Sequence, residues 1–231
     1  MKKIMRGVLL FGMLGGMILA CGNKSNNSNN STNSQATKNE KVYKIGVSQI
    51  VDHPALNAAK QGFKDALAKA GIKADYDDKI ANNEMSNQTL IMQQFSSDKK
   101  DLVYAITTPT AQAAKNQVDK NIPVVFASVT DPKSAGLVGI SNVTGTSGAA
   151  PVEENLKLMK ELFPKAKNIG IIYNSSEQNS VSEVNNLKKL APKYGFNVVD
   201  KSVTNGTELV SAANLVVKQA DLLYAIQDNT V

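Results

Sequence analysis

The 231-residue sequence holds one histidine, His53, and one cysteine, Cys21. The residue types that most often act as nucleophile, base and metal ligand are therefore nearly absent. An all-protein His/Cys zinc site cannot be built from that pair within one chain, and no internal disulfide can form. His53 stands between Asp52 and Pro54 at a strand-to-helix junction, a place for an N-cap or for the polar wall of a pocket. General-base work would need a nucleophile beside it, and none is in view. No GxGxxG follows the first strand, and neither a P-loop nor a GxSxG elbow occurs. The short run Gly145-Thr146-Ser147-Gly148 is too small for a phosphate loop and reads as a turn within a crossover. Asp75, Asp77 and Asp78 cluster without the glycine and distal glutamate of a calcium loop. No catalytic constellation and no cofactor motif remain.

The polar residues gather instead where strands end. Ser48-Gln49 and Asp52-His53 follow the first strand, Thr107 to Thr110 the third, and Ser128 with Thr130-Asp131 the fourth. Further on come Asn174 to Ser180 and Gln227 to Thr230. In open parallel sheets the carboxyl edge of the strands is where ligands bind. Helix N-termini there offer unpaired N–H groups and partial positive charge, suited to a carboxylate, while Asp131 or Asp228 could meet an ammonium group. Each cluster alone reads equally as ordinary N-capping, but five on one edge of two lobes point to a shared cleft.

The elements that must hold these clusters alternate between strand and helix. Strands are expected at Tyr43–Ile50, Ile72–Tyr76, Leu102–Thr107 and Pro123–Val129. Helices are expected after Pro54, around Ser86–Ser97 and from Thr110 to Lys120. Following the glycine-rich passage 136–148 the pattern restarts. Helix, strand, helix, strand, helix and strand are expected from Pro151, at Ile169–Tyr173, Val181–Ala191, Phe196–Val203, Glu208–Gln219 and Leu222–Ile226. Nearly continuous apolar runs such as Leu102–Thr107 suit strands covered on both faces. An internal repeat ties the halves together. Asp101 to Ala111 matches Asp221 to Val231 at Asp, Leu, Tyr, Ala, Ile and Thr, and Lys44-Ile-Gly-Val echoes Asn168-Ile-Gly-Ile. Buried strands resemble one another, yet a shared Tyr-Ala-Ile exceeds what apolar periodicity demands. The expected organisation is an N-terminal α/β lobe with its crossover over 42–150 and a second α/β lobe over 151–231. By the repeat, the second lobe is expected to be C-terminally incomplete.

The first forty residues read as an address and a tether. Lys2, Lys3 and Arg6 precede an apolar stretch, Val8–Ala20, of signal-peptide length, shorter than a bilayer span. The stretch ends in Ile18-Leu19-Ala20-Cys21-Gly22, which resembles the bacterial lipobox. In that motif the cysteine thiol takes a diacylglyceryl group and cleavage falls just before it. Residues 1–20 are thus expected to be a lipoprotein signal peptide, with residues 21–41 a lipidated cysteine and a linker almost without apolar side chains. Charge follows the same division. Of the formal +6, the three leader cations carry three, and Lys24, Lys38 and Lys41 against Glu40 carry two. The folding part is left near +1, which argues against a nucleic-acid partner.

From Lys44 onward the chain resembles the substrate-binding lipoproteins of ABC transporters whose characterised members bind tryptophan or tyrosine. The resemblance rests on Ile45-Gly-Val-Ser-Gln49 with His53-Pro-Ala-Leu56, on Pro123 to Pro132, on Gly139 to Thr146, and on Ile171 to Ser180. The family commonly reads Asn-Pro-Ser-Glu where this chain has Asn174-Ser-Ser-Glu177, a turn substitution. The resemblance implies a type I periplasmic-binding-protein fold, two Rossmann-like lobes with parallel sheets closing over a small ligand and presenting it to a membrane permease. It implies an extracytoplasmic, membrane-anchored location, no enzymatic step and no cofactor or metal. Carried over position by position, the ligand-binding residues are Gln49, Thr107, Thr108, Thr130, Asp131, Ser176, Asn179, Ser180 and Asp228. The readings from other classes are a surface interaction protein such as an adhesin, and an enzyme on the same fold.

Overall fold

The computed structural model describes residues 41–231. The expected leader, the lipidation site at Cys21 and all of the tether but Lys41 lie outside the described residues.

The first sheet has five parallel strands in the order β2-β1-β3-β4-β5. These are β1 (Tyr43–Gln49), β2 (Ala74–Ile80), β3 (Leu102–Ile106), β4 (Val124–Val129) and β5 (Val143–Ser147). Its helices are α1 (Pro54–Lys69), α2 (Met85–Ser97) and α3 (Thr108–Gln117). The second sheet has three parallel strands in the order β7-β6-β8. They are β6 (Asn168–Asn174), β7 (Asn197–Val203) and β8 (Leu222–Leu223), with helices α4 (Val152–Leu162), α5 (Gln178–Leu190) and α6 (Leu209–Val216).

Local chemistry sets the helix ends. His53 Nδ1 accepts from the Ala55 N–H at 3.2 Å and Pro54 fills the first helical position of α1, where its missing N–H costs nothing. Gly71, at φ +73°, takes the left-handed turn that ends the helix. Buried β3 is covered on both faces. Met92 and Phe95 of α2 and Ala111 and Ala114 of α3 lie in one core with Val103 and Ala105, whereas Phe63 of α1 stacks on Tyr104 at 4.0 Å. In the second lobe Val152 and Leu156 of α4 meet Ile169, Ile171, Val184 and Leu187.

The internal repeat is a repeat of geometry. Asp101 Oδ2 accepts from the Lys44 N–H at 2.8 Å, and Asp221 Oδ2 accepts from the N–H groups of Lys167 and Asn168 at the same distance. Each aspartate thus fixes the first turn of hydrogen bonding between a lobe's central strand and its neighbour. Register agrees: Ile45 pairs with Leu102 and Gly46 with Val103, as Ile169 pairs with Leu222 and Gly170 with Leu223. Both glycines are sites of close approach; a Cβ on Gly46 would lie 2.6 Å from the Phe95 ring of α2, and one on Gly170 would collide with Val216 of α6 and lie 2.7 Å from Ala220 Cβ just beyond it.

Three expectations are corrected. The passage Gly145–Gly148 is not a turn, because Gly145 to Ser147 belong to edge strand β5. A Cβ on Gly145 would strike the carbonyl oxygen of Phe126, so a glycine there reflects close strand approach rather than a bend. Strand β2 runs four residues beyond Tyr76 through Asp77-Asp78-Lys79-Ile80, since an edge strand can carry charge. There Asp77 pairs with Lys79 and Lys100, and Asp78 with Lys64. Strand β8 pairs only over Leu222–Leu223, because beyond Tyr224 the backbone turns into side-chain hydrogen bonds described next.

Candidate functional site

A cavity of about 390 Å³ opens where the carboxyl ends of both sheets meet, within the range of about 300–1,000 Å³ usual for small-molecule sites. Two of its walls are strand-to-helix junctions and a third is the end of a strand. The β1–α1 junction supplies Val51, His53 and Leu56, the β3–α3 junction Thr107 and Thr108, and β4 with its exit Ser128 and Thr130. From the second lobe come Asn179 at the start of α5 and the segment 227–231. By the repeat, Gln227 and Asp228 occupy in the second lobe the places of Thr107 and Thr108 in the first. The two lobes therefore present equivalent strand ends to one space.

Of the nine expected ligand-binding residues, five line this cavity: Thr107, Thr108, Thr130, Asn179 and Asp228. The other four lie outside the lining. Gln49 is buried, and its Nε2 donates to Val51 O and Asn57 Oδ1 at 2.8 and 2.9 Å, so it braces the β1–α1 turn. Ser176 is exposed, with its N–H donating to Asn174 Oδ1. Ser180 is buried and donates to Asp228 Oδ2 at 2.6 Å. Asp131 is engaged by its own turn: its carboxylate accepts from the N–H groups of Lys133 and Ser134 and from the Ser134 hydroxyl. It also accepts from Ser182 Oγ of α5 at 3.2 Å, a bond between the lobes. The Ser134 hydroxyl and N–H bonds hold the Asp131 carboxyl below the usual carboxylate range.

Asp228 faces the cavity but is heavily committed. Its Oδ2 also accepts from the Asn174 N–H at 2.7 Å, and its Oδ1 from the N–H groups of Thr230 and Val231. Glu177, buried, takes hydrogen bonds from Asn179, Asn229 and Thr230. Behind them Glu183 accepts from the Gln227 N–H at 3.1 Å, while its Oε1 has no partner. Burial pushes the Glu183 carboxyl up, opposed by the Gln227 N–H and reinforced by the charge of Asp228. These acids shape the 227–231 segment into a wall.

Two residues of the cavity lining each keep a buried polar atom without a partner. Thr108 is 1% exposed and its Oγ1 makes no hydrogen bond; Asn179 is 4% exposed and its Oδ1 makes none. The Asn179 amide orientation follows from its neighbours, since Nδ2 sits beside the Glu177 carboxylate and the Gln227 carbonyl, both acceptors only. A buried polar group without a partner carries a desolvation cost, and both residues stand in the cavity wall. One atom is a hydroxyl at the N-terminus of α3, the other an acceptor at the N-terminus of α5. No group of three or more His, Cys, Asp or Glu side chains among the described residues could hold a metal ion.

Residues 44–231 match the family model described as ABC transporter substrate binding protein. The chain belongs to this family. It is 41% identical to the tyrosine-binding protein of Clostridioides difficile (strain R20291), an alignment that takes in the whole chain and 69% of that protein. Among solved structures, the complex of a Streptococcus pneumonia ABC domain with L-Trp superposes with a TM-score of 0.79 at 34% identity, covering 82% of this chain and 67% of that one. A conserved domain protein from Vibrio cholerae gives 0.79 at 40% identity, covering 83% and 67%. The ligand-free, open structure of a substrate-binding protein with adhesive properties from Clostridium difficile is 45% identical, yet gives only 0.58, covering 81% and 66%. The lobes of this chain thus match a ligand complex better than an open relative nearer in sequence.

The apolar wall made by Val51 and Leu56 escaped the sequence reading, which followed polar residues only. Leu56 lies in the first turn of α1, so the motif His53-Pro-Ala-Leu56 was the available signal for it, whereas Val51 lies before the helix and carried none.

Proposed function

We propose that this protein is the extracytoplasmic receptor of an ABC importer, held at the membrane by a lipid on Cys21, and that it binds a free aromatic amino acid, tryptophan or tyrosine. One observation carries the ligand class. A single cavity is lined by Thr108 at the α3 N-terminus on one lobe and by Asn179 at the α5 N-terminus on the other, each carrying a buried polar atom without a partner. Hydroxyl and helix-end N–H groups suit a carboxylate. An amide oxygen in a wall that also holds the Asp228 carboxylate suits an ammonium group. Val51, Ala55 and Leu56 are left to cover an apolar side chain. The tryptophan- and tyrosine-binding relatives support the same class. Nothing in this arrangement calls for covalent chemistry: the ligand is held and passed to a permease.

Calorimetric titration with tryptophan, tyrosine and phenylalanine, and with a sugar and a dipeptide as controls, tests the reading. At least one aromatic amino acid gives saturable heat, and Thr108→Val weakens it about tenfold or more, as loss of a hydrogen bond to a charged group predicts. Heat from the sugar or dipeptide, with none from any aromatic amino acid, discards the assignment.

A further inference from the structure

Behind the α3 N-terminus lies a buried polar chain that starts at the cavity wall and runs away from it. Gln88 of α2 is fully buried, as are Ser48 of β1 and Thr110 of α3. Thr110 Oγ1 donates to Gln88 Oε1 at 3.1 Å, and Gln88 Nε2 donates to Ser48 Oγ at 3.0 Å. Because the Thr110 proton is committed to Gln88, the contact of 3.1 Å between the Thr107 and Thr110 hydroxyls has Thr107 as donor. The chain runs from the cavity wall inward: Thr107, Thr110, Gln88, Ser48.

What the chain holds is strained. Thr107 has φ +91° and ψ 159°, a conformation that a β-branched residue avoids. Such a conformation persists only where the surroundings over-determine it. Here the Thr107 N–H is held by Ala127 O at 3.0 Å and its hydroxyl by Thr110. This kink starts α3 with Thr108, a cavity-lining residue whose buried hydroxyl is unpaired. Gln88 has no shape-based reason to be polar. Met92 and Phe95, on the same buried stripe of α2, are apolar.

We propose that Gln88 is a positioning residue for the ligand's carboxylate. It touches no ligand and acts through Thr110 and Thr107, fixing the α3 first turn so that the Thr108 hydroxyl and the helix-end N–H groups are aimed into the cavity. The proposal rests on the amino-acid reading of the site given above.

The test couples a variant to a ligand change. Wild type and Gln88→Met are titrated with tyrosine or tryptophan, whichever wild type binds, and by competition with the matching amine that lacks the carboxylate, tyramine or tryptamine. In wild type the amino acid binds more tightly than the amine. In Gln88→Met that ratio falls roughly tenfold, the scale of coupling expected within one hydrogen-bond network, while amine affinity stays within about twofold. A ratio equal to wild type, or proportional weakening of both ligands, overturns the proposal, the second outcome marking a merely structural role. Should Gln88→Met lose its cooperative melt, Thr110→Val, which removes one hydroxyl from the same chain, is scored by the same ratio. If wild type binds no aromatic amino acid, the functional reading itself falls, an outcome separate from an unchanged ratio in a protein that binds.

Discussion

Asp131 and Asp228 are both carboxylates just past a strand end, and the sequence offers either one for an ammonium group. Their surroundings separate them. Asp228 lines the cavity, whereas Asp131 closes its own turn and reaches Ser182 across the lobes. Two further bonds cross nearby, from Asn83 Nδ2 to Asn229 O at 2.9 Å and from Thr130 Oγ1 to Gln227 Oε1 at 3.4 Å. Ser182→Ala removes the Asp131 link and leaves the turn intact. Since a part-exposed hydrogen bond contributes about 0.5–1.5 kcal/mol, ligand release should quicken roughly two- to tenfold, with the melting temperature little changed. Stopped-flow displacement measures this, and an unaltered release rate would show that the bond does not help to hold the lobes together. Types and positions of these aspartates were legible in the sequence. Which carboxylate is already satisfied was not, because that depends on N–H groups brought in by the 132–134 turn and on a helix from the other lobe.

Elements were legible where periodicity and punctuation agree. Pro54 and Gly71 bracket α1, and the apolar run of β3 names a strand buried on both faces. Glycine was harder to interpret. Gly145 in β5 and Gly170 in β6 are both sites of close approach rather than turns. In β6, Gly170 lies under Val216 and Ala220, at and just beyond the end of α6, with Leu223 of β8 alongside. Gly170→Ala should force α6 or β8 to shift and cost about 1–3 kcal/mol, the range for overpacking. Urea denaturation should show a lower midpoint, and a midpoint equal to wild type would mean that the second lobe can yield there freely. The buried stripe of α2 offered a signal of its own, since Gln88 stands one turn before Met92 on an otherwise apolar face. A polar residue on a core stripe points to a hydrogen-bonded partner, but the partner cannot be read from α2 alone.

Across the whole molecule, the net positive charge gathers at the N-terminal end. Five of the six net positive charges fall in residues 1–41, and among the described residues no helix is long and apolar enough to cross a membrane. The lipobox-like Leu19-Ala20-Cys21-Gly22 is what supports the proposed membrane attachment through Cys21. Mass spectrometry of protein extracted from membranes should find Cys21 as an acylated N-terminus, and a mature chain that retains residues upstream of Cys21 would sink the proposal. The sequence by itself determined the parallel α/β class, the two-lobe repeat and the strand edge on which polar residues collect. It did so because burial on both sheet faces and helix capping leave local patterns. Only the tertiary structure decided that Thr108 and Asn179, each with an unpartnered buried atom, line one cavity, that Asp131 links the lobes and that Gln88 stands behind Thr107. Each of those facts depends on distances between residues far apart in the chain, where hydrogen-bond satisfaction is set by the packing of several elements at once.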